Sequence, residues 1–173
     1  MPGFELIGEE ERQAVNELFN DGGVLFAHGF DEMRNNRYHV REFEKEFANY
    51  IGVKYAQAVS SGTAALKIAL VALGVKPGDE VITQAFTFVA TAEAIIDIGA
   101  KPVFVNINKT LNMDPVALEF AITDRTSAII PVHMLGVAAE QDEIHAIARK
   151  HDIPILDDAC ESLGAEWGGD KLG

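Results

Sequence analysis

Hydrophobic positions along the chain follow two regimes. From residue 8 to 50 they recur at helical spacing: Ala14 with Leu18, Val15 with Phe19, then Val40, Phe43, Phe47 and Tyr50. Each set makes one apolar face, so the spacing predicts helices over 8–19 and 40–50. Asp21-Gly22-Gly23 breaks the first and Gly52 stops the second. From residue 55 the pattern changes to short apolar runs alternating with helical stretches. It predicts strands over 55–59, 80–83, 102–107, 128–132 and 153–156. The helices between them cover 63–73, 88–98, a segment opened by Asp114-Pro115, and 141–151. The 63–73 helix is apolar on nearly every face and is expected to be buried. Such alternation is the signature of an α/β fold, with a mostly parallel sheet covered by helices on both faces. A helical segment with a polar loop (1–50) is expected to precede an α/β domain (51–173).

In such sheets ligands sit at the carboxyl ends of strands. Three segments fall there: Ser60-Ser61-Gly62-Thr63, the residues after Thr83, and Asp157-Asp158. The first reads as a tight turn into a helix. Gly62 can take dihedrals closed to other residues, and free N–H groups of the first helical turn attract phosphate. The same residues also serve as an ordinary cap and turn. Asp157-Asp158 reads equally as a helix cap or half of a metal site, but no His, Cys or carboxylate set at ligand spacing accompanies it. The loop from Phe26 to His39 gathers His28, Arg34, Asn35, Asn36, Arg37 and Tyr38, which suits either a substrate loop or a subunit contact.

Charge narrows the classes. The net charge is −13, with no Lys/Arg cluster, which argues against nucleic acid as a partner. A lone cysteine, Cys160, rules out a disulfide framework and suits a reducing cytosol. No leader pattern is visible, and the longest apolar run is too short to cross a membrane. G-x-G-x-x-G, the P-loop pattern and G-x-S-x-G are all missing, which speaks against a nucleotide-binding domain and a serine hydrolase. His133 with Cys160 makes a poor thiol-nucleophile pair.

Five motifs in order carry a resemblance: Glu42-Phe43-Glu44 with Phe47-Ala48, Ser61-Gly62-Thr63-Ala64-Ala65-Leu66, Pro77-Gly78-Asp79-Glu80-Val81-Ile82, Phe86-Thr87-Phe88-Val89-Ala90-Thr91, and Asp157-Asp158-Ala159-Cys160-Glu161-Ser162-Leu163-Gly164. With them the chain resembles the DegT/DnrJ/EryC1/StrS sugar aminotransferases, which are fold-type I pyridoxal-phosphate (PLP) enzymes. The resemblance implies PLP as cofactor, held by Ser61, Gly62 and Thr63 at its phosphate. It places Phe88 on the pyridine ring, Asp158 at the pyridinium nitrogen and Glu161 near the ring hydroxyl. Phe88 taken alone would be read as an ordinary core residue. The resemblance further implies an amino-acid donor (glutamate first), a keto or aldehyde sugar as acceptor, and a homodimer. His133 would contact substrate or cofactor, or is simply satisfied in the core. Met1-Pro2-Gly3-Phe4-Glu5-Leu6 and Phe30-Asp31-Glu32-Met33-Arg34-Asn35-Asn36-Arg37 look like the branch that aminates position 8 of Kdo, an acidic lipopolysaccharide sugar. Arg34 and Arg37 would meet its carboxylate, since Arg binds carboxylates bidentately.

The Schiff-base lysine of the family lies one strand beyond Asp158, past Gly173, together with the small C-terminal domain. Lys171 comes too early and sits in a predicted surface turn, and Lys67 lies mid-helix. The expectation is a segment of a larger enzyme that does not transaminate alone. Two alternatives stay open. One is a sugar 3-dehydrase of the same family, with His in place of the lysine; the other is a non-catalytic fragment.

Overall fold

The computed structural model describes residues 4–173, with Phe4 defined by its backbone alone. Of the N-terminal motif, Met1-Pro2-Gly3 lies outside the described residues. The chain forms two compact units, one ending at Ala58 and one starting at Val59. The first holds a 3-10 turn (Phe4–Leu6) and helices α1 (Glu9–Asn20) and α2 (His39–Ile51). Gly52 ends α2 at φ +89°, a left-handed cap that glycine adopts without a steric penalty. The strand expected over 55–59 does not form. The Glu44 carboxylate takes the Ala58 N–H at 2.8 Å and the Gln57 amide at 2.8 Å. A side chain of α2 therefore holds this segment, which stays with the first unit as far as Ala58.

The second unit is an α/β layer structure. Strands β1 (Glu80–Gln84), β2 (Lys101–Val105) and β3 (Thr126–Ile130) pair in parallel in the order β2-β1-β3. Every residue of β1 is buried, as a central strand covered on both faces requires. Pro102 pairs with Val81 on edge strand β2, where a missing N–H is tolerated. Helices α3 (Gly62–Ala72) and α4 (Val89–Asp97) lie on one face of the sheet. There Leu70 and Ile95 pack with Val81, Ala128 and Ile130. Helices α5 (Pro115–Ala121) and α6 (Gln141–His151) cover the other. On that side Leu118, Ile144 and Ala148 pack with Ile82 and Ile129. Alternate residues of β1 and β3 thus feed opposite cores, which is the period of two acting on a double-sided sheet.

Two expectations need correction. The strand predicted over 153–156 survives only as parallel bridges, Ile129 to Ile155 and Val132 to Asp158. Helix α3 is not buried all round: Leu66 and Leu70 point inward, but Ile68 and Val71 stay 54% and 57% exposed. The predicted surface turn at 168–171 is the bend of a hairpin between β4 (Glu166–Trp167) and β5 (Asp170–Lys171).

At the amino end of β1, the buried Glu80 carboxylate accepts from Thr123 Oγ1 at 2.7 Å and from the Arg125 guanidinium, with Lys101 Nζ at 3.7 Å. It ties the start of β2 to the approach to β3. These hydrogen bonds, Thr123 first and then Arg125, hold the Glu80 carboxyl below the usual carboxylate range. A depressed folded-state value means that stability is present above the unfolded-state titration near about 4.3 and is lost as pH falls through the folded value. Glu80→Gln is therefore expected to lower Tm at neutral pH and to flatten its decline below about pH 4.5. Thermal melts across acidic pH check this; parallel pH curves for the two proteins would refute it.

Candidate active site

The carboxyl edge of the sheet gathers the second unit's predicted residues through a continuous chain of contacts. Ser61 caps α3: its Oγ accepts the Ala64 N–H at 3.1 Å, and its carbonyl takes the Ala65 N–H at 3.0 Å. The first N–H groups of the helix, on Gly62 and Thr63, are left to face a ligand, and the Ser61 hydroxyl keeps its own proton to donate. Gly62 is not in the left-handed region, contrary to the dihedral argument from sequence. Space is tight instead, because a Cβ there would sit 3.2 Å from Cys160 Sγ, which would have to give by a few tenths of an ångström. This contact joins the α3 turn to the Asp158 segment.

Asp158 is 5% exposed. Its backbone bridges to the sheet edge, with its N–H on Pro131 O at 2.9 Å and its carbonyl accepting from His133 N–H at 3.1 Å. Its carboxylate accepts from Thr91 Oγ1 at 2.9 Å and from the Cys160 N–H at 3.2 Å. No cation pairs with it among the described residues. Burial first, and then the hydrogen bond and charge of Asp158, push the Cys160 thiol up to about 12. Phe88 stands at the N-cap of α4 with its side chain 71% exposed, so it is no core residue. Glu161 accepts the Leu135 N–H at 3.1 Å. That bond anchors a residue held at φ +54°, a left-handed conformation uncommon for leucine. Asp158 is thus buried, while Gly62, Phe88, Cys160 and Glu161 are exposed.

His133 is fully buried. Its Nδ1 accepts the Ala139 N–H at 3.0 Å, which puts the ring proton on Nε2, 3.3 Å from Asp157 Oδ1. Gln141 Nε2 also donates to that oxygen, at 3.1 Å. Burial works upward on Asp157, but the bonds from His133 and Gln141 outweigh it and hold its carboxyl below the usual range. Both ring nitrogens of His133 are thus taken by partners within the chain.

In the first unit, Arg34 is 7% exposed and donates to Phe26 O. Its guanidinium lies 4.8 Å from the Tyr38 ring centroid, and its Nε has no partner. Arg37 is exposed and pairs with Asp21 at 2.7 Å. Both arginines line a cavity of about 100 Å³ with Leu18, Val24, Phe26 and Val40.

Sequence reasoning missed three groups. Thr87 and Thr91 lie four residues apart, 2.9 Å between hydroxyls, and lead to Asp158; their signals were that spacing and their place in the Phe86–Thr91 motif. Gln84 and Asn112 are buried amides that hold the loops of the sheet edge, and their partners are distant in sequence.

The sequence profile of the DegT/DnrJ/EryC1/StrS aminotransferase family matches residues 7–173. The chain belongs to this family. It is 52% identical over 133 residues to the UDP-2-acetamido-2-deoxy-3-oxo-D-glucuronate aminotransferase of Pseudomonas aeruginosa, an alignment covering 76% of this chain and 37% of that relative. Among solved structures it is similar to a sugar aminotransferase of Streptococcus pneumoniae in its PMP form. The TM-score is 0.84 and the identity 30%, over 96% of this chain and 44% of that one. It is also similar to a GDP-4-keto-6-deoxymannose-3-dehydratase with a trapped PLP-glutamate adduct. There the TM-score is 0.82 and the identity 33%, over 96% and 42% of the two chains. The family member described here thus spans about two fifths of the length of such relatives.

Proposed function

We propose that this chain is the cofactor-binding part of a cytoplasmic, homodimeric PLP-dependent aminotransferase, which moves an amino group from an amino acid to a keto or aldehyde sugar. The observation that carries the reading is Asp158, a buried carboxylate with a hydrogen-bond donor on each oxygen and no cation among the described residues. Such a charge calls for a cationic partner, and a protonated pyridine supplies one. The other donors fit the same group. The free N–H groups on Gly62 and Thr63, with the hydroxyls of Ser61 and Thr63, suit a phosphate at the positive end of α3. The close approach of Gly62 to Cys160 leaves no side chain in the seat. Exposed Phe88 offers a ring face for stacking, and Glu161 stands ready for the ring hydroxyl.

Bound there, PLP would supply an electron sink for carbanion chemistry at the amine carbon. Asp158 would keep the ring nitrogen protonated, the α3 turn would fix the phosphate, and Phe88 would set the ring plane. The lysine that tethers the cofactor is proposed to follow Gly173, so the 173-residue segment alone would not transaminate. Glutamate as donor is supported by the adduct in the dehydratase structure, and the same neighbour keeps a 3-dehydrase as the second reading. Exposed Ile68, Val71, Val89 and Ile96 on α3 and α4 support a subunit interface.

The acceptor is proposed to be an acidic sugar, an oxidised Kdo of lipopolysaccharide synthesis. Arg34 supports this, as a buried guanidinium whose Nε has no partner among the described residues, and so does the uronate substrate named for the Pseudomonas relative. The test is turnover of the full-length protein with glutamate, PLP, and matched acidic and neutral keto sugars. Arg34→Met is expected to raise KM for the acidic sugar about tenfold and to leave a neutral one unchanged, as loss of one charge-assisted contact requires. Equal KM changes for both sugars would refute the carboxylate role, and no amino transfer to any sugar would refute the enzyme reading.

A further inference from the structure

We propose that Thr91 is a positioning residue for Asp158, with Thr87 behind it in a one-way hydroxyl ladder. The inference rests on the cofactor reading above and adds residues to it. The direction of the ladder follows from proton accounting. An ionised carboxylate only accepts, so the Thr91 proton must lie toward Asp158 Oδ2, 2.9 Å away. Thr91 then has only lone pairs left. In its 2.9 Å contact with Thr87 the donor is therefore Thr87, whose alternative acceptor, Phe88 O, is farther at 3.4 Å. The second carboxylate oxygen, Oδ1, is held independently by the Cys160 N–H at 3.2 Å.

Two fixed donors, one on each oxygen, stop the carboxylate from turning about its own axis. The unused lone pairs then keep one direction, the one in which the ring nitrogen would lie. Water cannot stand in for Thr91, because that residue is 1% exposed and Asp158 5%. Both threonines sit where α4 begins, around the N-cap Phe88, and the Thr91 N–H bonds the Phe88 carbonyl at 3.2 Å. One helix turn thereby sets both the aromatic face and the carboxylate direction.

The role is a matter of orientation, so the test reads the cofactor nitrogen itself. Full-length protein is titrated with PMP labelled with 15N in the ring, which binds without a tethering lysine. The dissociation constant and the 15N resonance of the bound form are compared among variants. Thr91→Val keeps the shape and removes the donor. It is expected to weaken PMP about tenfold and to move the bound 15N resonance toward that of neutral pyridine. Thr91→Ser is expected to restore both to within about twofold, and Thr87→Val to weaken PMP about threefold. A purely structural threonine would change Tm while leaving the 15N position of bound PMP untouched. That result in Thr91→Val would overturn the proposal. If Thr91→Val does not fold, an unchanged resonance and affinity in Thr87→Val overturns the ladder in its place. Wild-type protein that binds no PMP would overturn the cofactor reading, and the role of Thr91 with it. Wild-type binding with indifferent variants would overturn the ladder alone.

Discussion

Asp158→Asn is expected to cut turnover of the proposed aminotransferase on the order of 10²–10³-fold, the scale of losing one preorganised electrostatic contact in a water-poor site. Asparagine fits the same space. Its carbonyl can accept the Cys160 N–H, and its amide can donate to Thr91 Oγ1 once that hydroxyl turns round. The fold should therefore survive, and the lost quantity is the charge that would keep a pyridine nitrogen protonated. A second readout needs no cofactor. The Cys160 thiol is pushed up by burial and then by Asp158. Removing the anion leaves burial and the weaker push of the Glu161 charge, so the variant thiol should react several-fold faster with iodoacetamide in mildly alkaline buffer, since the thiolate is the nucleophile. Unchanged turnover would remove Asp158 from the chemistry. Unchanged alkylation would show that its charge does not reach Cys160.

How far such a site can be read from sequence depends on the range of the interactions that build it. The α3 turn and Asp158 were legible because each is a short segment directly after an apolar run, whereas Phe88 was legible only through the family resemblance. Their mutual contacts were not. Gly62 looked like a backbone device, yet its constraint is Cys160 Sγ, almost a hundred positions along the chain. The run 55–59 has strand composition, but Glu44 claims its Ala58 N–H, and a strand needs a partner ladder more than it needs propensity. The 153–158 segment shows the converse. It runs alongside β3 and its continuation, although only Ile155 and Asp158 bridge there. His133 was ambiguous for a related reason. Its sequence neighbours are apolar, while its partners Ala139, Gln141 and Asp157 come from the next helix and the next strand end.

The largest stability effect is expected at a residue whose partners are far away in sequence. Gln84, the last residue of β1, is fully buried, and its side-chain amide makes four bonds to backbone. Oε1 accepts from Met113 N–H at 3.0 Å and Val132 N–H at 3.2 Å. Nε2 donates to Phe86 O at 2.9 Å and Leu111 O at 3.2 Å. Three loops of the sheet edge therefore meet on one side chain. Asn112 continues the web, accepting from Met134 N–H at 2.8 Å and donating to Val137 O and Ala138 O at 3.1 Å each. Leu111 and Leu135 are both held at left-handed φ, +66° and +54°, conformations that such bonds must over-determine if they are to persist. Gln84→Leu keeps the volume but strands two buried N–H groups and two carbonyls. At about 1–3 kcal/mol for each unsatisfied group, with partial relaxation, a loss of about 3–5 kcal/mol is expected in urea denaturation. The opening should be directional. Amide exchange is predicted to rise first at Met113 and Val132, and then through the His133 N–H that holds the Asp158 carbonyl. The same mutation would thus lower cofactor affinity without touching a cofactor contact. A loss below about 1 kcal/mol, or exchange rising equally across the sheet, would show that Gln84 is only packed there.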